Sequence, residues 1–396
     1  MTTGTARPTA DFLADHVRGM APSGIRRFFD MLAEMTDVIS LTIGEPDFNT
    51  PEPITRAAIA SLEAGETHYT ANGGMLELRE LIAANLRQRY GVDYDPRSET
   101  IITVGASEAV DASLRALLNP GDEVIYHEPC FVSYAPCITL AGGTPVPLST
   151  TDGTDFRVTA VQIAAAITPR SKALFLGYPN NPTGAVLSHD ELAAIAEVVE
   201  AHDLVVVTDE IYDRLVYGGH QHTAFSSLPG MRDRTVLIGG FSKSYAMTGW
   251  RIGYVAAPEA LMTGIAKVHQ YGIMCAPTPA QFAAIEALRI GEPFVLEMLA
   301  EYDRRRQLMT RRLNEIGLVC FEPHGAFYCF PNITSTGLDD EAFARELLLE
   351  EHVAVVPGSA FGPSGAGHVR ACYATAYEQI VEAMDAIERF VHRKRG

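Results

Sequence analysis

The sequence is poor in positive charge for its length. Its 396 residues include 31 Lys and Arg against 49 Asp and Glu, which gives a formal net charge of −18 at pH 7. A chain with this charge repels the phosphate backbone of nucleic acids and anionic lipid surfaces. We therefore expect neither a nucleic acid nor a membrane among its main partners.

Long apolar runs and paired cysteines are also absent from the sequence. No run of about eighteen apolar residues occurs, and the N-terminus lacks the apolar segment of a signal peptide, so neither a membrane span nor export is predicted. The six cysteines are scattered, with no C-x-x-C pair and no histidine at zinc-finger spacing. This pattern predicts neither a disulfide framework nor a metal site, and it favours a reducing cytoplasm.

The chain does have enough apolar material for a large core. Hydrophobic residues make up 47% of it, and at roughly 150 residues per domain its length predicts two or three domains. Short β-branched runs alternate with segments of helical periodicity. The expected strands are 101–104, 123–126, 173–176, 204–207, 235–238 and 252–255, and the expected helices are 107–118, 189–202 and 278–288. Such alternation is typical of an α/β fold with a mainly parallel sheet covered by helices.

The C-terminal third mixes amphipathic helices with short strands, which indicates a smaller α+β domain. The expected helices there are 293–316, 340–351 and 377–392, and the expected strands are 326–330, 353–356 and 368–373. We predict an N-terminal arm with part of the small domain at 1–50, a large domain at 51–290 and a small domain at 291–396.

Lysine is scarce, which narrows the search for an amine nucleophile. The chain contains only Lys172, Lys243, Lys267 and Lys394. Lys243 follows the expected strand 235–238, and ligands of α/β sheets bind beyond the carboxyl ends of strands. A solvated surface charge is the alternative that this position alone leaves open.

Several motifs surround Lys243 in a fixed order. The segment Gly240 to Tyr254 reads GFSKSYAMTGWRIGY. The other motifs are Asn180-Asn181-Pro182-Thr183-Gly184, Thr208-Asp209-Glu210-Ile211-Tyr212 and His368-Val369-Arg370-Ala371-Cys372-Tyr373-Ala374. Together they make the chain, from about residue 23 to 390, resemble the fold-type I pyridoxal-phosphate enzymes, specifically the class I aminotransferases. The resemblance implies a large domain with a mainly parallel, seven-stranded type of sheet, a smaller α+β domain, and pyridoxal 5'-phosphate as cofactor.

The cofactor's chemistry assigns roles to two of these residues. Pyridoxal phosphate needs an amine that attaches to its aldehyde and later moves a proton, and the resemblance gives both tasks to Lys243. Its ring nitrogen needs a carboxylate to stay protonated, and Asp209 occupies that position. Without the lysine motif, a helix cap at the end of the strand would be the favoured explanation of Asp209.

Further residues are expected around the ring. By the resemblance, Asn181 and Tyr212 would donate hydrogen bonds to the ring's phenolate oxygen, and Phe131 would stack on its face. The simpler alternatives are an ordinary turn at 180–184 and two buried aromatic side chains.

The phosphate is expected at the start of a helix near residue 105. Gly105 would let the chain approach closely, and the N–H groups of Ala106, Ser107 and Glu108 would be the donors. Taken alone, Ser107 would be no more than a helix cap.

Two more residues match phosphate ligands of the family, and a third position differs from the family pattern. Arg251 matches the arginine that neutralises the phosphate, and Ser242 offers a hydroxyl. Gly240 stands where many relatives carry a phosphate-binding serine, so that contact is not expected. Tyr69 resembles the tyrosine that reaches the phosphate of a neighbouring subunit, which implies a two-fold dimer with shared sites.

The substrate side is expected to depend on an arginine. Arg370 occupies the family position for binding the carboxylate of an amino acid, a task that suits a bidentate guanidinium, and the backbone at Gly44 would lie close to it. A surface ion pair is the simpler explanation of Arg370 alone. We therefore predict an aminotransferase of class EC 2.6.1 that exchanges an amino group between an L-amino acid and a 2-oxo acid such as 2-oxoglutarate.

The choice of amino acid rests on weaker signals. No motif places a second arginine for a side-chain carboxylate, and 269–277 and 325–328 are expected to supply apolar and aromatic walls. The chain is most similar to the aromatic and broad-specificity prokaryotic branch, including at 131–136 and 374–377, so aromatic donors are predicted. Aspartate or N-acetyldiaminopimelate aminotransferase and a carbon–sulfur lyase are alternatives. A transcription regulator with the same fold is disfavoured by the acidic charge and by the lack of a basic module before the motifs.

Overall fold

The computed structural model describes residues 12–20, 35 and 37–395. Its strands, in chain order, are β1 (Ile39–Ser40), β2 (Thr100–Thr103), β3 (Glu123–Glu128), β4 (Thr144–Ser149), β5 (Ser171–Leu176), β6 (Val205–Asp209), β7 (Thr235–Gly240), β8 (Gly253–Ala256), β9 (Tyr328–Cys329), β10 (Val353–Ala354), β11 (Val356–Pro357) and β12 (Val369–Cys372).

The helices surround these strands, and several begin with the caps that the sequence supplies. They are α1 (Asp15–Arg18), α2 (Glu52–Glu63), α3 (Leu76–Tyr90), α4 (Gly105–Leu117), α5 (Tyr134–Leu140), α6 (Ala160–Ala166), α7 (His189–Ala201), α8 (Glu259–Gly272), α9 (Thr278–Ile290), α10 (Glu292–Glu315), α11 (Asp340–Glu351) and α12 (Tyr377–Arg395). At the start of α7, for example, Ser188 and Glu191 form a reciprocal capping box.

The large sheet has seven strands in the order β2-β8-β7-β6-β5-β3-β4. Strand β8 is antiparallel to both of its neighbours, and the other neighbouring pairs are parallel. Its inner strands are buried along nearly their whole length, as in β7, where only the last of six residues is partly exposed. The predicted α/β architecture with a mainly parallel sheet is confirmed.

Strand β4 is the one strand of this sheet that the sequence did not predict. It contains Pro145 and Pro147, which cannot donate to a strand ladder and argue against a central strand. The structure places β4 at the edge of the sheet, where it has only β3 as a neighbour and is partly exposed. Proline is tolerated there because one side of the backbone needs no partner.

The C-terminal third forms its own small sheets. Strands β11, β12 and β9 make an antiparallel sheet, and β10 pairs in parallel with β1. A hydrophobic cluster joins Leu41 to the buried faces of α10, α11 and α12, and it also takes up Tyr212 and Leu215 from the loop after β6. The arm around residue 40 therefore packs with the C-terminal third. We propose the boundaries 1–50, 51–290 and 291–396 on this basis.

Parallel strands end at a common edge of the sheet, and this edge positions the site. Strands β2, β6 and β7 run in the same direction, since β8 is antiparallel to both β2 and β7. The segments that follow them, around residues 105, 210 and 243, therefore meet at one edge. In the described part of the chain, no helix combines the length and apolar character needed to cross a bilayer.

The cysteines and acidic residues form no evident metal site. All six cysteines are free. Within residues 12–20, 35 and 37–395, no three His, Cys, Asp or Glu side chains are grouped so as to hold a metal ion.

Candidate active site

A cavity of about 420 Å³ lies at the carboxyl edge of the large sheet. Eleven of the residues predicted for the site line it: Gly44, Ala106, Ser107, Phe131, Asn181, Asp209, Tyr212, Ser242, Lys243, Arg251 and Arg370. The remaining predicted residues, Gly105, Glu108 and Tyr69, do not line it. The sequence motifs therefore predicted eleven of the residues that line the cavity, although these residues are spread over more than three hundred positions of the chain.

Lys243 projects into the cavity as a largely desolvated amine. Its Nζ donates a hydrogen bond of 2.6 Å to the carbonyl oxygen of Gly44. Burial lowers the pKa of Lys243 from 10.5 to about 8, although the nearby Cys372, Glu45 and Asp209 act in the opposite direction. An amine with this pKa is partly neutral near physiological pH, and only the neutral form is a nucleophile. The alternative of a solvated surface lysine is wrong.

Asp209 ends β6 and forms part of the cavity floor. Its Oδ2 accepts a hydrogen bond of 2.9 Å from the Tyr134 hydroxyl, and its Oδ1 accepts one of 3.2 Å from the backbone N–H of Ile211. Burial raises the pKa of Asp209 to about 6, and these two hydrogen bonds counteract part of the shift. A buried carboxylate of this kind is stabilised by a cation brought next to it.

Tyr134 is a site residue to which the sequence assigned no role. It lies at the start of α5 and is buried, and its ring also contacts Phe131 with a centroid separation of 5.7 Å. The signal available in the sequence was its place three residues after Phe131. Its partner Asp209 is 75 residues away, so the hydrogen bond itself is a product of the tertiary fold.

The start of α4 and Arg251 form a cradle suited to an anion. Gly105 has φ +72°, and a Cβ there would lie 2.7 Å from a guanidinium nitrogen of Arg251. The next two residues, Ala106 and Ser107, line the cavity with the helix N-terminus. N–H groups at a helix start and a nearby guanidinium together favour a phosphate.

Gly240 departs from the usual family serine, and its surroundings leave little space for a side chain. A Cβ at this position would lie 2.8 Å from Cδ1 of Ile211. The isoleucine side chain therefore occupies space that a serine would need. Ser242 lines the cavity and remains available as a hydroxyl.

Arg370 lies on β12 and is held from several sides. Its Nη1 donates to Oδ1 of Asn181 at 2.8 Å and its Nη2 donates to the carbonyl oxygen of Thr42 at 2.6 Å. The guanidinium carbon is 4.5 Å from the ring centroid of Tyr328. Arg370 is only 4% exposed, so the alternative of a surface ion pair is wrong.

One nitrogen of Arg370 has no protein partner. Its Nε is buried and makes no hydrogen bond in the structure. A buried donor without an acceptor costs free energy, and the guanidinium as a whole lines the cavity. The arginine is therefore arranged to bind an anion that enters the cavity.

Tyrosine hydroxyls meet on the side of the cavity next to the small sheets. The hydroxyl groups of Tyr212 and Tyr328 are 2.8 Å apart, and both residues are buried. Tyr328 belongs to the segment 325–328 that was expected to supply an aromatic wall, and it does line the cavity. Phe131 also lines it and is not a fully buried core residue.

The other expected wall, 269–277, is wrong for this cavity. No residue of that segment lines it. His269 instead points from α8 toward Glu108 behind the start of α4. Tyr69 is 81% exposed and borders a separate surface groove with Leu62 and Cys275.

The site thus combines a buried amine with two anion-binding groups, Arg370 and the start of α4 with Arg251, at the topological position where α/β enzymes bind ligands. A family model described as "Aminotransferase class I and II" matches residues 36–387. The chain belongs to this family and is an aminotransferase. The family uses pyridoxal 5'-phosphate.

Curated relatives are similar to the chain along nearly its full length. An aspartate aminotransferase from Pyrococcus abyssi is 46% identical over 385 residues, which cover 97% of this chain and 99% of the relative. An aromatic-amino-acid aminotransferase 2 from Thermococcus litoralis is 44% identical over 385 residues, with the same coverage of both chains. Relatives of similar fold and sequence therefore carry different substrate names.

Solved structures show the same fold. The crystal structure of an aromatic aminotransferase from Pyrococcus horikoshii OT3 superposes with a TM-score of 0.89 at 46% sequence identity, covering 93% of this chain and 99% of the other. The large and small sheets described above are therefore those of a fold-type I aminotransferase.

The scarcity of lysine makes the low pKa of Lys243 directly measurable. We expect the cofactor-free protein, after reductive methylation with ¹³C-formaldehyde, to show one lysine signal that titrates near pH 8, because burial disfavours the ammonium form. NMR titration measures it, and Lys243→Arg assigns the signal by its loss. Lys172→Arg is the matched control and should remove a different signal. Titration of all lysine signals near pH 10 would contradict the prediction.

Proposed function

We propose that the chain binds pyridoxal 5'-phosphate in this cavity and uses it to transfer the amino group of an L-amino acid, with aromatic donors preferred, to a 2-oxo acid such as 2-oxoglutarate. The observation that carries the cofactor assignment is the buried Lys243 amine between the Asp209 carboxylate and the anion cradle. When bound, the cofactor supplies an aldehyde and a protonated ring that withdraws electrons from the substrate.

The residues around the ring have distinct tasks under this proposal. Lys243 would hold the aldehyde, and its amine would move a proton at the substrate's α-carbon. Asp209 keeps the ring nitrogen protonated, and Tyr134 holds that carboxylate in place. Asn181 and Tyr212 donate to the ring oxygen, and Phe131 packs on the ring face.

The phosphate and the substrate carboxylate are assigned to opposite sides of the amine. The N–H groups of Ala106, Ser107 and Glu108, with Gly105 allowing the close approach, bind the phosphate together with Ser242 and Arg251. Arg370, which lines the cavity, would bind the substrate carboxylate near the backbone of Gly44. A substrate held by Arg370 would have its α-carbon within the cavity that Lys243 also lines.

The preference for aromatic donors rests on what the cavity wall contains. Among the described residues that line the cavity, the lysine and arginine side chains are Lys243, Arg251 and Arg370, and each already has a task. Within the described part of the chain, no further cation lines the cavity to pair with a side-chain carboxylate. Val110, Ile211 and Tyr328 contribute apolar and aromatic surface to the same cavity, and Tyr328 lies beside Arg370.

The cofactor assignment is tested by absorbance of the purified protein. Wild-type protein loaded with pyridoxal phosphate should show the visible band of a lysine-bound cofactor, and Lys243→Ala should lose it because Lys243 is the one lysine among the described residues that line the cavity. Lys172→Ala, which removes a lysine that pairs with Asp122 outside the site, should keep the band. An unchanged spectrum in Lys243→Ala would count against the assignment.

The substrate proposal is tested by a half-reaction screen over all amino acids. We expect kcat/KM for phenylalanine, tyrosine or tryptophan to exceed that for aspartate by about tenfold or more, because a side-chain carboxylate would be desolvated without a partner. Faster reaction with aspartate or N-acetyldiaminopimelate would favour those alternatives. Release of pyruvate from cystathionine would instead identify a carbon–sulfur lyase, which needs the same Lys243, Asp209 and Arg370.

The surface groove around Tyr69 supports a homodimer with shared sites. Tyr69 is 81% exposed and Tyr271 87%, and Leu62 and Met274 nearby are also exposed, which is an unusual concentration of large apolar side chains. We expect sedimentation equilibrium to give the mass of two chains. Tyr69→Phe should remain a dimer but bind the cofactor about tenfold more weakly, since it loses one hydroxyl donor to the partner's phosphate. A monomeric wild-type protein would refute this arrangement.

A further inference from the structure

His269 lies directly behind the start of α4, outside the cavity. Its Nδ1 is 2.5 Å from Oε1 of Glu108, and its Nε2 is 2.7 Å from the carbonyl oxygen of Asn72. The imidazole is 1% exposed and the Glu108 side chain 10%. The mechanism proposed above leaves this buried pair without a role.

The partners of His269 determine where its protons are. The carbonyl oxygen of Asn72 can only accept, so Nε2 must carry a proton. Nδ1 faces a carboxylate whose other oxygen already accepts a hydrogen bond from the N–H of Val104 at 2.5 Å. Both ring nitrogens thus face acceptors, which is the arrangement of an imidazolium. Burial alone would lower the pKa of His269, but its contacts with Glu108 and Asn72 outweigh burial and raise it.

The charge of Glu108 matters because of where it lies. Glu108 reaches back to the N–H of Val104, at the same helix end whose residues Ala106 and Ser107 line the cavity. A carboxylate there competes for the positive end of the helix dipole and repels a second anion. The imidazolium of His269 cancels that charge from the side away from the cavity.

We propose that His269 is a positioning residue that neutralises Glu108 and so keeps the start of α4 receptive to the phosphate of the cofactor. This inference rests on the proposed function, since it concerns the same cofactor. His269 also holds the carbonyl of Asn72, whose side chain donates to the carbonyl oxygen of Met274 at 2.7 Å. The imidazole of His269 therefore connects the anion cradle at the start of α4 with the segment that follows Tyr69.

The test compares two ligands that differ only in the phosphate. Dissociation constants for pyridoxal phosphate and for pyridoxal are measured by the lysine-bound absorbance band in the full-length protein and in His269→Gln. The glutamine amide retains a donor for Asn72 but carries no charge. We expect His269→Gln to bind pyridoxal phosphate about tenfold more weakly, the effect of one charge at a helix end, and pyridoxal nearly as well as the wild type does.

A second substitution separates charge from structure. Glu108→Gln in the His269→Gln background removes the unpaired carboxylate, so it should restore affinity for pyridoxal phosphate to within about threefold of the wild type. Glu108→Gln alone should bind pyridoxal phosphate as tightly as the wild type or more tightly, and it provides the test if His269→Gln does not fold. His202→Gln, an exposed histidine at the end of α7, is the control and should change neither constant.

The outcomes distinguish this inference from the function on which it rests. The role of His269 would be overturned, while the function stands, by any of three results. These are an equal loss of affinity for both ligands in His269→Gln, no recovery of affinity for pyridoxal phosphate in the double variant, and a large loss of that affinity in Glu108→Gln alone. A wild-type protein that binds neither ligand would overturn the proposed function, and this inference with it.

Discussion

The parallel register between β6 and β7 is the constraint on which the rest of the site depends. Asp209 lies opposite Ile238, five residues before Lys243. This register delivers the carboxylate and the amine to the same edge of the sheet. A shift by one residue would turn Asp209 to the other face of the sheet, away from Tyr134. The apolar burial of both strands, with Val207 and Ile238 inaccessible to solvent, fixes that register.

Asp209 and Lys243, at the carboxyl edge of the large sheet, have few charged neighbours that balance their charges. Burial moves the pKa of Asp209 upward and that of Lys243 downward, so both groups are pushed toward their neutral forms. The proposed cofactor would bring a cation to Asp209 and an anion to Arg251. Its binding is therefore coupled to the cost of burying these groups, and a loaded protein would be more stable than a cofactor-free one.

The small sheets complete the cavity through contacts that cross from one part of the fold to the other. Arg370 on β12 donates to Asn181 in the loop after β5, and Tyr328 on β9 meets the hydroxyl of Tyr212 after β6. One of these hydrogen bonds joins the arginine proposed for the substrate carboxylate to a residue proposed for the cofactor ring, and the other joins the aromatic wall to a second ring residue. Recognition of the substrate and positioning of the ring depend on the same interface.

The sequence by itself determined the alternation of strands and helices and the order of the motifs. It also pointed to Lys243, because periodicity and residue type are local properties of the chain. It missed β4, since proline excludes a central strand but not an edge strand, and only the assembled sheet has an edge. The tertiary structure alone decided that Tyr134 supports Asp209 and that His269 faces Glu108 and not the cavity. These partners are 75 and 161 residues apart, and a contact over that distance depends on how whole elements pack, which no local pattern encodes.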